Sequence, residues 1–175
     1  MINIATYNIA GITLPEKRQI LFNFFLQTNL DVVCLQEITF SDCPIFTQHY
    51  NLYTNLGPRK HGTAILVRQD LHAANIQIEP EGRLISLEMQ GLTFVCIYAP
   101  SGDGRKLARD NFFRVTIPAY CTTYRTPYVI LGDFNAVEES TKRKSTLTNK
   151  PKVYIPTYIP RTNMASELDY PSIPP

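Results

Sequence analysis

Two short, almost wholly apolar runs constrain what this chain can fold into. They are residues 31–35 (DVVCL) and 127–131 (PYVIL), a composition typical of strands in a sheet that is covered on both faces. Each run follows a segment with helical character, and each ends in polar residues. The helix-then-strand order therefore occurs twice, over 15–37 and 104–135, and predicts an α/β fold with weak internal symmetry.

The first helix has recognisable start signals. Thr13 can cap it, Glu16 can complete a capping box, and Pro15 is tolerated in a first turn. Apolar residues at helical spacing predict a buried stripe of Ile20, Leu21, Phe24 and Phe25. The second helix, over 104–116, should turn Leu107, Phe112 and Phe113 towards the core.

Further strands are predicted between Gly, Pro and Asp turn signals. The candidates are 2–8, 50–55, 62–68, 74–79, 84–90 and 93–98.

Length and composition favour one globular domain. The chain has 175 residues and 44% hydrophobic residues, and no apolar run approaches the roughly 20 residues that span a bilayer. The amino terminus lacks the basic start of a secretory signal. Of the 4 cysteines none forms a CxxC pair, and Cys34 and Cys96 lie in apolar runs, so we expect buried thiols and a reducing, intracellular setting. A net charge of +2 does not by itself indicate nucleic acid.

Composition changes near residue 137. All 8 glycines lie at or before Gly132, whereas basic residues over 142–152 and repeated prolines mark the rest. We expect an α/β domain over 1–137 and a basic, then Pro-rich, diverged or poorly ordered tail over 138–175.

Polar residues follow three predicted strands. Glu37 comes directly after an apolar strand, where a lone carboxylate suits Mg²⁺ or is merely solvated. Asn8 ends the first strand and could be a second polar neighbour of a metal, although a single asparagine there is more often a turn residue. Asp133 and Asn135 would face the same way on an extended segment, with Phe134 in the core, although Gly-Asp-x-Asn is also common turn composition. Strand ends are where α/β sheets bind ligands.

Two more residues could contact a phosphate. Tyr98 ends a strand and could present its hydroxyl, or it could be an ordinary aromatic at a sheet edge. Arg83 follows the Gly82 turn and is equally consistent with a solvated charge.

The ordered set of runs TYNI, LQE, HGTAILVR, GRLISLE, IYAPSG and ILGDFN resembles the endonuclease/exonuclease/phosphatase superfamily, which includes DNase I and the apurinic endonucleases. The closest likeness is to the endonuclease domain of non-LTR (LINE-type) retrotransposons, and it covers residues 1 to about 137. The resemblance implies a four-layer α/β/β/α sandwich of the DNase I type, with the last strands of the second sheet missing.

The resemblance also implies roles for these residues. Glu37 would be the principal Mg²⁺ ligand, with Mn²⁺ as a substitute, and Asn8 its neighbour at the metal. Tyr98 would stabilise the pentacoordinate phosphate, Asp133 would take part in proton transfer, and Asn135 would orient the scissile phosphate. The implied reaction is hydrolysis of a DNA phosphodiester.

This sequence departs from the family pattern near the end of that pattern. Residues 166–170 (SELDY) partly match a Ser-Arg-(Ile/Leu)-Asp-Tyr motif, in which Asp169 would orient a catalytic histidine or be an ordinary acid of the tail. The closing Ser-Asp-His is absent, and His49, His61 and His72 all lie in the first half. We therefore expect a truncated or diverged nuclease with little activity in this form.

Three functions remain open. The first is a Mg²⁺-dependent DNA endonuclease that nicks target DNA, acting as a monomer in the nucleus and linked to a reverse transcriptase in a parent element. The second is a nucleic-acid-binding module without catalysis, and the third an inositol-phosphate phosphatase. No membrane partner is expected. The second reading would use these basic residues: Arg59, Lys60, Arg105, Lys106, Arg109 and the 142–152 cluster.

Overall fold

Two four-stranded mixed sheets lie face to face in a computed structural model that describes residues 2–59, 61–102 and 105–135. The first sheet has the order β1-β2-β4-β3 and the second the order β5-β6-β7-β8. The strands are β1 (Ile4–Asn8), β2 (Val32–Ile38), β3 (Tyr50–Leu56), β4 (Gly62–Arg68), β5 (Ala74–Ile78), β6 (Leu84–Met89), β7 (Leu92–Tyr98) and β8 (Tyr128–Asp133).

Helices cover the outer faces of both sheets. Helix α1 (Pro15–Gln27) precedes β2, and α2 (Lys106–Asn111) and α3 (Ile117–Cys121) precede β8, with a π-helical stretch over Phe112–Thr116 between them. A short 3₁₀ turn (Phe46–Gln48) precedes β3. Two helix-then-strand units are therefore present, as predicted. No helix among the described residues is both long and apolar enough to cross a membrane.

Three apolar clusters mark the interfaces between four layers. The first packs Phe22 and Phe25 of α1 against Val33 and Leu35 of β2. The second lies between the sheets, and includes the buried thiols Cys34 and Cys96. In the third, Phe112 and Ile117 pack on Val95 and Ile97 of β7. Because adjacent strand residues point to opposite faces, Val33 belongs to the first cluster and Cys34 to the second. The α/β/β/α sandwich is confirmed.

The predicted helix faces need correction. Ile20 is 69% exposed and Phe24 is 41% exposed, while Phe22 and Phe25 are the buried pair of α1. Five apolar residues crowd 20–25, so several faces of this helix were apolar and spacing alone could not select the buried one. Leu107 is likewise 83% exposed, whereas Phe112 is buried as predicted.

Helix α1 also begins differently from the prediction. Leu14 is the N-cap, without a side-chain hydrogen bond, so Thr13 is not the cap. Pro15 does lie in the first turn, where its missing N–H costs nothing. The residues assigned to the 138–175 tail, including Asp169, lie outside the described part of the chain.

The fold should lose stability between about pH 10 and pH 12. Burial raises the pKa of Tyr50 to about 12 and that of Tyr124 to about 12, against about 10 in an unfolded chain. The folded state therefore keeps protons that the unfolded state releases, so the free energy of unfolding falls as pH rises through this window. Urea unfolding at several alkaline pH values measures the fall.

Tyr50→Phe separates this cause from other alkaline effects. The variant loses the hydrogen bond from the Tyr50 hydroxyl to the Leu30 carbonyl, 2.9 Å, which costs about 1 kcal/mol at neutral pH. Its stability should then fall less steeply than that of the wild type above pH 10. An equally steep fall would contradict the assignment.

Candidate active site

Four of the predicted site residues lie at one end of the sandwich. Strands β1 and β2 are parallel, as are β7 and β8, and the register pairs Asn8 with Gln36 and Tyr98 with Asp133. The carboxyl ends within each pair are therefore neighbours, and the hydrogen bond from Asn8 to Asp133 joins the two pairs across the sheets. Asn8, Glu37, Tyr98 and Asp133 all come from that edge.

The Asn8 carboxamide joins the two carboxylates of the site. Its Nδ2 donates to Glu37 Oε1 at 2.8 Å and to Asp133 Oδ2 at 2.9 Å. Its Oδ1 accepts the N–H of Ala10 at 3.0 Å, which holds the amide in this orientation. Asn8 thus positions both carboxylates in this structure, and its predicted direct contact with a metal stays a prediction.

Glu37 occupies a β-bulge. The pairing of β2 with β4 shifts between Gln36 and Ile38, which leaves Glu37 as the extra residue with φ 57°. A bulge bends the strand and redirects one side chain. The Glu37 carbonyl accepts the N–H of Gly11 at 2.8 Å, and this bond stabilises the strained backbone.

Asp133 and Asn135 were predicted to lie on one extended segment, and this prediction is wrong. Strand β8 ends at Asp133, and Asn135 has φ 45°, so the chain turns. Asp133 Oδ1 accepts the N–H of Asn135 at 2.9 Å, and Asn135 Nδ2 donates to the Ala99 carbonyl at 2.7 Å. Asx-type turn chemistry outweighs strand propensity here. Phe134 packs inward as predicted, with its ring stacked on that of Phe113.

Tyr98 lies near an acidic residue, Glu37, and a basic residue, Arg83. Burial raises its pKa; the charge of Glu37 and hydrogen bonding with it raise the pKa further, while Ser101 and Arg83 act to lower it. The Arg83 guanidinium carbon is 5.2 Å from the centre of the Tyr98 ring. The phenol is therefore protonated at neutral pH and its hydroxyl can donate a hydrogen bond.

A cleft of about 670 Å³ opens beside Glu37 and Tyr98. Burial lowers the pKa of the Arg83 guanidinium, and the nearby charges of Arg105 and Arg59 lower it further. Glu79 is only 8% exposed, and its Oε2 accepts the backbone N–H of Arg83 at 3.0 Å. The charged residues that line the cleft are Glu37, Arg59, Glu79, Glu81, Arg83 and Arg105, and His61 lies there as well.

Two turns from different sheets interlock to form a wall of this cleft. A Cβ on Gly82 would lie 2.2 Å from Gly57 N, so the backbones touch where neither residue has a side chain. Buried Asn55 donates to the Glu79 and Leu84 carbonyls at 2.7 and 2.8 Å, across the two sheets. This contact fixes the position of Arg83, which follows Gly82.

Glu79, Ser101 and Asn55 also belong to this site and were not predicted from the sequence. The Pro80-Glu81-Gly82 run indicated only a turn, and nothing local shows that the turn meets another from the opposite sheet. An acid before a Pro-x-Gly turn was the available signal for Glu79.

The donor chemistry fits a magnesium ion. Mg²⁺ is commonly held by one or two carboxylates, with water in its remaining positions. Glu37 and Asp133 supply two carboxylates within hydrogen-bonding distance of one amide nitrogen. Among the described residues, no three His, Cys, Asp or Glu side chains gather as a metal-binding group, which is the arrangement that zinc would favour.

The Endonuclease/Exonuclease/phosphatase family model matches residues 5–170. The chain therefore belongs to this family. It is 22% identical over 161 residues to an exodeoxyribonuclease of Bacillus subtilis (strain 168), a match that covers 84% of this chain and 64% of that protein. The chain thus spans less than two thirds of this curated relative.

Solved structures show the same fold. A crystal structure of TDP2 from C. elegans superposes with a TM-score of 0.64 at 18% identity, covering 81% of this chain and 50% of that one. An AP endonuclease from Archaeoglobus fulgidus gives a TM-score of 0.63 at 21% identity, over 77% of this chain and 58% of that one. At these identities the likeness establishes the DNase I-like fold.

Gly82→Ala should destabilise the protein more than Gly91→Ala. Both glycines have left-handed φ, +76° and +73°, but Gly91 has open space where a Cβ would be. Gly91→Ala should cost about 1–2 kcal/mol from backbone strain alone, and Gly82→Ala about 1–3 kcal/mol more from the clash with Gly57. Urea unfolding of the two variants measures the difference, and equal losses would refute the interlock.

Asn8→Asp should destabilise the site through repulsion among three carboxylates. We expect a loss of about 1 kcal/mol or more in EDTA, partly restored by Mg²⁺. Asn75→Asp is the matched control, because Asn75 Nδ2 also donates to one glutamate, Glu88, at 2.8 Å. Thermal unfolding of both variants with EDTA and with Mg²⁺ gives the comparison; equal Mg²⁺ responses would count against the site.

Proposed function

We propose that this chain is a Mg²⁺-dependent phosphodiesterase that cleaves DNA internally, of the type found in LINE-like retrotransposons. The observation that carries the proposal is the Asn8 amide, which brings the Glu37 and Asp133 carboxylates to one point. Family membership supports phosphodiester or phosphate-ester hydrolysis. The names of its relatives, an exodeoxyribonuclease and an AP endonuclease, support DNA as the substrate.

Each residue has a task in this proposal. Glu37 would hold the cation, with Asn8 beside it, and the cation when bound supplies positive charge against the phosphoryl oxygens. Asp133 is held through both carboxylate oxygens, by Asn8 and by the Asn135 N–H, so it is oriented to handle a proton at the attacking water or the leaving oxygen. Tyr98, protonated at neutral pH, would donate a hydrogen bond to the phosphate.

The decisive assay uses supercoiled plasmid, which has no ends and therefore reports internal cleavage. Wild-type protein should convert it to open circles with Mg²⁺ and not with EDTA. Glu37→Gln should lower the rate by about 100-fold or more, since a carboxylate ligand of the cation is lost.

Glu88→Gln is the matched control for that substitution. Glu88 also accepts a carboxamide N–H at 2.8 Å, but it pairs with Thr93 at the opposite end of the second sheet from Tyr98. The nicking rate of the Glu88→Gln variant should equal that of the wild type. Nicking that survives Glu37→Gln, or release of phosphate from inositol phosphates without nicking, would refute the proposal.

A binding module without catalysis is a second candidate, favoured by the cleft arginines. The side chains of Arg59 and Arg105 are exposed and make no hydrogen bond or ion pair within the described part of the chain, so both can contact phosphates. DNA affinity that weakens with salt, in a protein that never nicks, would favour this function.

A further inference from the structure

We propose that Arg83 is a positioning residue that holds Tyr98 for catalysis. This inference rests on the proposed function, because Tyr98 is taken to serve phosphodiester cleavage. Arg83 makes three contacts with Tyr98 at the wall of the cleft, and none of them requires a bound Mg²⁺.

Arg83 and Tyr98 are tied together through backbone and side chain. The Tyr98 N–H donates to the Arg83 carbonyl at 2.8 Å, and Arg83 Nη1 donates back to the Tyr98 carbonyl at 3.1 Å. The guanidinium carbon lies 5.2 Å from the ring centre, within the range of a cation–π contact. These contacts restrict both the backbone and the ring plane of Tyr98.

The position of Arg83 is itself fixed. Its backbone N–H donates to buried Glu79, and the residue before it, Gly82, touches Gly57 of the other sheet. Arg83 is half-buried, whereas Arg59 and Arg105 are exposed in the same cleft. The exposed pair is therefore available to phosphate, while the Arg83 guanidinium is already engaged with Tyr98.

This geometry predicts different kinetic effects for two arginines of one cleft. Arg83→Gln should lower kcat for nicking by about 10- to 100-fold, with KM changed by less than about threefold, because a misplaced reacting group costs rate rather than affinity. Arg83→Lys should recover part of kcat, since it keeps the charge but loses the planar fork. Arg59→Gln should mainly raise KM.

A double-mutant cycle tests whether Arg83 acts through Tyr98. In a Tyr98→Phe background, Arg83→Gln should lower kcat by less than about threefold further, because the hydroxyl that it positions is gone. Full additivity of the two losses would overturn the inference. So would a pattern in which Arg83→Gln raises KM alone, as expected of a phosphate contact.

A second readout does not depend on activity. With ¹³C-labelled tyrosine rings, Tyr98→Phe identifies the Tyr98 signal, and Arg83→Gln should shift that signal while Arg59→Gln leaves it in place. If Arg83→Gln does not fold, Arg83→Lys should give a smaller shift of the same signal. An unmoved Tyr98 signal in a folded Arg83 variant overturns the inference.

The two proposals fail in different ways. If the wild type never nicks plasmid with Mg²⁺ but the Tyr98 signal moves in Arg83→Gln, the function is wrong and the contact stands. If the wild type nicks, and Arg83→Gln neither lowers kcat nor moves the signal, the function stands and Arg83 has no positioning role.

Discussion

A single carboxamide connects carboxylates that belong to different sheets, and the geometry of the site depends on it. Asn8 and Glu37 are in the first sheet, and Asp133 is in the second. The apolar contacts between the sheets are not directional. Hydrogen bonds do have direction. Asn8 at the strand ends, and Asn55 beside the cleft, therefore determine how the two halves of the site meet.

Backbone strain is part of the site, although Asn29, Asn75 and Gln90 also have positive φ elsewhere in the described chain. Ala10, Glu37 and Asn135 all have positive φ, a conformation that costs a side-chain-bearing residue roughly 1–3 kcal/mol. Each is held by a hydrogen bond at the strand ends: Ala10 N–H to Asn8, Gly11 N–H to the Glu37 carbonyl, and Asn135 N–H to Asp133. Regular strands would continue past these positions and direct the side chains to alternate faces. The strained turns after β1 and β8 instead stop those strands, and the bulge in β2 redirects Glu37, so that the polar groups lie together.

Strand positions were predictable because strand signals here are local. The run HGTAILVR gave 62–68, and β4 is Gly62–Arg68; the apolar run at 127–131 became β8. The helix faces were less predictable, since which face of α1 is buried depends on the sheet beneath it. The same limit explains Asn135, where the bond from its N–H to Asp133 outweighs strand propensity. Local pattern decides that a strand exists, and tertiary contact decides where it stops.

The ingredients of the candidate site were predictable, but its connections were not. Asn8 and Tyr98 end predicted strands, and Glu37 and Asp133 follow predicted strands. Parallel pairing within each sheet therefore places Asn8 near Glu37 and Tyr98 beside Asp133. That Asn8 donates to both acids depends on how two sheets stack, because Asn8 and Asp133 are 125 positions apart in the sequence. Arg83 is similar: in the sequence it is a charge after a glycine turn, and only contact between Gly82 and Gly57 directs it onto Tyr98. Chemistry at strand ends can therefore be inferred from sequence, whereas the contacts that orient it arise from packing between sheets.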